Sequence, residues 1–253
     1  MKKWQAFTLS ALAVLVIFFT IPIVGFKSAS CNIKNRQTEN IPRYSYLIWN
    51  LYSPLQYKSS STPPSAAHSL AKMIETNSEV SAASIPVWSV SLEAPNYPKE
   101  TFPDGIPVLF HFDGFSGEVA EMNTINHYIG MYPMERGAQL EMSLMAYIFL
   151  FTTLVMILYL YVKSRKSWIL MLLPALLPVG FLVDFAAWLY WFGHNMQEWG
   201  AFKIKPFMPT VFGDGKVAQF TTHSYPSIGF YLLLLISALC VLAIFSKLKE
   251  TRL

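Results

Sequence analysis

Charge is what this chain has least of. Only 13% of its 253 residues are Asp, Glu, Lys or Arg, while 53% are hydrophobic. That is about half the charge of an ordinary soluble domain, too little to clothe a globule in water. The formal net charge is only +4, and the basic residues are scattered in short runs. Nucleic acid, whose binders show a clustered basic face, is excluded as a partner. Cysteine is scarce too, with Cys31 and Cys240 alone. Two cysteines make neither a disulfide scaffold nor a Cys-based zinc motif. Also missing are a nucleophile elbow, a phosphate-cradling glycine loop, a CxxCH haem attachment and an HExxH pair. No internal repeat is visible, so a transporter of two matched halves is not supported.

Long apolar runs are what the chain does have. A bilayer core takes about 20 apolar residues as helix. Residues 5–26, 142–162 and 228–245 carry no charge, and residues 168–192 carry only Asp184. None has a polar stripe, so each reads as a helix surrounded by lipid or other helices. Lys2 and Lys3, then Lys163, Arg165 and Lys166, then Lys247, Lys249 and Arg252 flank these runs. Basic flanks stay in the cytoplasm. The pattern predicts a membrane α-helical fold of four transmembrane helices with both termini inside. Residues 1–26 are then an N-terminal anchor and 27–141 an extracytoplasmic domain. Residues 142–253 form a three-helix membrane domain with an external loop at 193–227. A cleaved signal peptide is the alternative for residues 1–26, since Ser28, Ala29 and Ser30 precede Cys31. Its apolar core, however, exceeds the usual 7–15 residues. On this topology Cys31 lies outside and Cys240 in the inner half of the last helix, so they form no disulfide.

The external segment looks small and β-containing. Residues 84–92 and 106–112 alternate in strand fashion, with Val108, Phe110 and Phe112 on one face and His111 on the other. The intervening PNYPKETFPDG is turn-rich. Residues 65–76 have helical spacing, 43–51 are aromatic enough to lie along the membrane, and 58–64 (KSSSTPP) read as a linker.

Two places carry candidate chemistry. The stretch EMNTINHYIGMYPM holds His127, Met122, Met131 and Met134. A helix over residues 123–131 would put His127 and Met131 four apart on one face. Imidazole with thioethers is a soft donor set that suits copper(I) over zinc or magnesium. Spacing alone equally fits gap-filling methionines near the membrane, with His127 hydrogen-bonded locally. The second place is the outer end of the third run. Asp184, Trp188, Trp191 and Asn195 recur at helical steps, and an acid at that depth costs about 3 kcal/mol. It is expected to face the bundle or a cavity, near a donor such as Lys203 or Lys205. The loop that follows brings His194, Met196, Met208 and His223, and its length predicts order against the external domain. His111, His127, His194 and His223 therefore share one side of the membrane.

The stretches NHYIGM (126–131) and LEAPNYP (92–98), and the run DFAAWLYWFGHN…KIKPFMP…FTTHSYPSIG, resemble a family of bacterial polytopic membrane proteins. That family is associated with gene clusters for copper enzymes of the nitrous oxide reductase type. The resemblance implies a multi-pass protein of the bacterial inner membrane, acting near extracytoplasmic copper. It supplies no ligand set.

The leading expectation is a non-enzymatic accessory protein that binds Cu(I) and passes it to a membrane or periplasmic cuproenzyme. His127 and Met131 would hold the ion, with Met122, Met134, His111, His194 or His223 completing the set, and Asn126 and Asn195 alongside. The alternatives are a structural or assembly subunit of a membrane complex, and a membrane enzyme or proton-linked transporter using Asp184.

Overall fold

The computed structural model describes residues 2–21, 85–95, 105–198, 200–201, 204–217 and 219–250. The helix expected at 65–76, the segments at 43–51 and 58–64, Cys31 and Lys203 lie outside them. Five α-helices occur among the described residues: α1 (Lys3–Ile21), α2 (Val119–Ile129), α3 (Gln139–Tyr161), α4 (Leu172–His194) and α5 (Ile228–Glu250). A 3-10 segment, Arg165–Met171, leads into α4. Among the described residues, three stretches are long and apolar enough to cross a membrane: α3, Lys166–His194 and α5. The described apolar part of α1 is shorter, Lys3–Phe18.

These helices are apolar on every side, so their few hydroxyls are satisfied within the backbone. Thr8, Thr152 and Thr153 donate to the carbonyls of Trp4, Ile148 and Phe149, one turn back, at 2.8 Å. Ser237 of α5 donates across to the Ala175 carbonyl of α4 at 2.6 Å, in the turn before Pro178.

α1 packs along α5, burying Ala11, Leu15 and Phe18. Lys2 pairs with Glu250 at 3.1 Å, so the start of α1 and the end of α5 meet. At the same end Lys247 turns inward. It donates to the Val162 carbonyl at 2.7 Å and the Tyr159 carbonyl at 3.3 Å, between the rings of Trp4 and Tyr159. A cation there meets the partial negative charge of the α3 C-terminus.

At the opposite end of α5 sits a five-stranded antiparallel sheet. Its strands are β1 (Trp88–Glu93), β2 (Ile106–Phe110), β3 (Phe115–Gly117), β4 (Gly213–Val217) and β5 (Phe220–Pro226), in the order β3-β2-β1-β5-β4. β1 is the centre. It pairs with β2 from Trp88↔Phe110 to Leu92↔Ile106, and with β5 from Trp88↔Pro226 to Glu93↔Thr221. The loop between the third and fourth apolar runs therefore supplies two of the five strands. Reading strands only within residues 27–141 missed them, because Gly213-Asp214-Gly215 looks like a turn. The β1 register instead recruits FTTHSYP as a neighbour, and GDGKV follows as the edge.

Trp88 fastens this sheet to the helices. It is fully buried, and rings of Phe181, Phe185 and Phe230 lie 5.2–6.0 Å from it. Its indole N–H donates to Ser224 Oγ at 2.8 Å, which leaves the buried indole satisfied. Main-chain bonds from Ser227 to Val87 and from Gly229 to Pro86 fix the sheet over the start of α5.

Candidate functional site

α2 ends sooner than the residue spacing suggests. Gly130 takes a left-handed conformation with φ 88°, its N–H meets the His127 carbonyl, and the Met131 N–H meets the Asn126 carbonyl. This is a Schellman closure. Met131 therefore follows the helix rather than sharing a face with His127, and that premise of the His127–Met131 pair is corrected. A Cβ on Gly130 would come within 2.6 Å of the Gln197 carbonyl oxygen, and Gln197 N–H donates to the Gly130 carbonyl at 2.7 Å. The HYIGM stretch thus stitches α2 to the loop after α4. Asn123 Oδ1 accepts from the Met134 N–H at 2.9 Å and fixes the next turn.

Beneath the sheet, bounded by α2, α3 and α4, lies a cavity of about 510 Å³. Five of the chain's 11 methionines line it: Met122, Met131, Met134, Met142 and Met145. His111, Asn126, Glu141 and Asp184 line it too. Met122 and Met134 are buried in an apolar cluster with Ile106, Val108 and Phe115, against which Met131, Met142 and Met196 pack. Among the sequence-derived candidates, the cavity thus unites His111, Met122, Asn126, Met131, Met134 and Asp184. It does not include His127, His194, His223 or Asn195.

Each histidine has its own setting. His111 is buried and its Nε2 is 2.7 Å from Ser116 Oγ. His127 is half-buried on α2, with the Tyr128 ring edge-on to it. His194 is exposed, stacked on Tyr190 at 3.8 Å, with Nδ1 2.9 Å from the Tyr190 carbonyl oxygen. Asn195 closes α4, donating to the Trp191 carbonyl at 2.8 Å. His223 lies on β5, its Nδ1 2.6 Å from Asp214 and its Nε2 3.3 Å from Glu93. The Asp214 hydrogen bond, then Glu93, outweigh burial and hold its imidazolium above the ordinary histidine range. Hydrogen bonds from His223 and Tyr225 in turn hold the Asp214 carboxyl below its usual range. With both ring nitrogens facing carboxylates, His223 is a clasp across three strands. Metal ligation there would require breaking it.

The four histidines therefore do not converge. Among the described residues, no three His, Cys, Asp or Glu side chains gather as a metal cage. The soft donors of the cavity are thioethers and one imidazole.

Asp184 does face a cavity, as an acid at its depth should. Its neighbour there is Glu141, which sits in the first turn of α3 within electrostatic reach. Trp188 Nε1 donates to Glu141 Oε1 at a long 3.4 Å, while Glu141 Oε2 is buried and receives no hydrogen bond from the described residues. Sequence reasoning passed over Glu141. A signal was there, a single acid at the N-terminal edge of an otherwise charge-free run. Trp191, one turn beyond Trp188, stacks on Tyr132 at 5.5 Å, and Arg136 covers the same Tyr132 ring at 4.0 Å.

No family model, no curated protein and no solved structure matches this chain.

Proposed function

We propose that the chain is a copper-handling accessory protein of the bacterial inner membrane. It crosses four times with both termini in the cytoplasm, and its sheet and α2 lie on the outer side. Nineteen residues of α1 span about 28 Å, close to the roughly 30 Å of a hydrocarbon core, so α1 serves as the fourth span. Cu(I) binds in the cavity beneath the sheet and passes to a cuproenzyme. Met131 supplies one thioether, Met122 and Met134 supply others, and His111 supplies a nitrogen. Asn126 is a neutral neighbour. The observation that carries the reading is that five methionines and His111 line one cavity. Thioethers select Cu(I) over zinc or magnesium, and they suit an oxidising compartment where thiols would form disulfides.

Replacing Met122, Met131 and Met134 together with leucine keeps the apolar volume and removes the sulfur. Purified after growth in copper, wild type should carry stoichiometric Cu(I) and the triple variant none, while His127→Ala should retain the metal. Equal copper in wild type and triple variant sinks the reading. A second reading, a membrane enzyme or proton-linked transporter, is favoured by Asp184 and Glu141 facing the same cavity. On that reading Asp184→Asn abolishes activity while copper content is unchanged.

A further inference from the structure

The cavity is longer than a metal site needs. α4 lines it with Leu173, Leu176, Gly180, Asp184, Trp188 and Phe192. At 1.5 Å per residue, Leu173 to Phe192 is about 28 Å, nearly the full hydrocarbon thickness. The space is therefore a slot running down the bundle from the sheet, between α3 and α4, which touch each other little. It opens sideways. Ile148 of α3 and Leu176 of α4 line the slot and are still 38% and 54% exposed on the bundle perimeter. At Gly180 a Cβ would meet nothing within 4 Å. Within the proposed spans that opening faces lipid tails.

The head of the slot has a definite chemistry. Glu141 and Asp184 offer acceptors, and Glu141 Oε2 is buried without a donor among the described residues. A buried acceptor left unpaired carries its desolvation cost uncompensated, so a ligand that donates there is favoured. Among the described residues, no Lys or Arg lines the slot. A phosphate there would meet two carboxylates and no cation among these residues, which disfavours anionic phospholipid heads. Phe110, Phe181, Phe185 and Trp188 wall the same end and favour a planar ring by stacked or edge-on contact. The volume lies within the roughly 300–1,000 Å³ of small-molecule sites.

We propose that this slot binds a neutral, ring-headed lipid of the bilayer that donates hydroxyl hydrogen bonds, a molecule of the quinol class. Its hydroxyls meet Glu141 and Asp184, its ring lies among the phenylalanines, and its apolar tail follows α4 past Gly180 toward Leu173. The proposal rests on the slot and its acceptors. It needs no copper.

The test uses the full chain, metal-free, in detergent or nanodiscs, with a decyl-tailed benzoquinol titrated in and binding read by calorimetry and native mass spectrometry. Saturable one-to-one binding is expected. The oxidised quinone, which has no hydroxyl to donate, should bind at least about tenfold more weakly. Glu141→Leu should weaken quinol binding by a similar factor. Gly180→Leu adds bulk to the slot one turn from Asp184, at a position with open space, leaves both carboxylates in place, and should block the tailed quinol in a protein that stays folded. The triple methionine variant keeps Glu141, Asp184 and Gly180 and should keep the quinol, so this result separates from the copper test. No saturable binding to wild type, equal affinity for quinol and quinone, or undiminished binding to folded Gly180→Leu would each overturn the proposal. So would a co-purifying phospholipid that the quinol fails to displace.

Discussion

Gly130 shows why a short sequence stretch can look functional and be architectural. Its left-handed φ disfavours any side chain, and its Cβ position is occupied by the loop around Gln197. Gly213 has nearly the same φ, 84°, but open space around it. Alanine at either site should cost about 1–2 kcal/mol for the backbone alone. Gly130→Ala should cost more, because the loop must move as well. Thermal unfolding in detergent checks this, and equal melting shifts for the two variants would remove the stitch from the account. Lys247 makes the same point about a charge. In sequence it is one of a basic flank with Lys249, and nothing in spacing tells them apart. In the folded chain Lys247 is buried between Trp4 and Tyr159 and holds the last carbonyls of α3, while Lys249 is exposed. Lys247→Met should cost on the order of 1.5–3 kcal/mol, the range of charge-assisted hydrogen bonds, and Lys249→Met almost nothing. Matching unfolding curves for the two would refute the cap.

Among elements, the apolar helices were the legible ones, because a run of twenty uncharged residues has few other readings. α3, α4 and α5 begin and end within a few residues of the basic or polar flanks that bound them in sequence. The second half of the sheet was not legible. β4 and β5 become strands only because β1, more than a hundred residues earlier, offers an unpaired edge, and that is a tertiary fact. The cavity shared this fate: Met122, Met145, Glu141 and Asp184 meet through packing, not spacing. His223 ties β4, β5 and β1 through Asp214 and Glu93, so this part of the sheet should respond to pH. Its raised folded value means the stabilisation is complete below the ordinary histidine pKa of about 6.5. It is lost as pH rises through the folded value. Asp214, held low, adds stability that disappears only in acid, below the normal carboxylate range. Hydrogen-exchange protection of the β4 and β5 amides, corrected for intrinsic rate, should fall as pH rises above the ordinary histidine pKa of about 6.5. His223→Gln should flatten that slope. A wild-type slope no steeper than the variant's would leave the clasp without energetic weight.

For the whole molecule, geometry and charge point the same way. Lys2 touches Glu250 and Lys247 reaches Val162, which sets the start of α1 and the ends of α3 and α5 together. Val87 and Pro86 hold the other end of α5 beneath the sheet. If α5 crosses the bilayer, the sheet and the two termini lie on opposite sides, whichever way the bundle is inserted. The proposed orientation rests on the lysines, since basic flanks resist translocation. Lys216 on β4 and Lys249 near the end of α5 are both exposed, so each can become a single reporting cysteine. Cys31 is first replaced by serine; Cys240 is buried and stays. A membrane-impermeant maleimide should label Lys216→Cys on intact cells with the outer membrane permeabilised, and Lys249→Cys only after the inner membrane is opened. The reverse pattern would invert the protein and place the methionine-lined cavity toward the cytoplasm, where glutathione competes for Cu(I). Labelling of both positions from one side would mean that α5 does not span, and the lipid-facing slot would have no lipid to face.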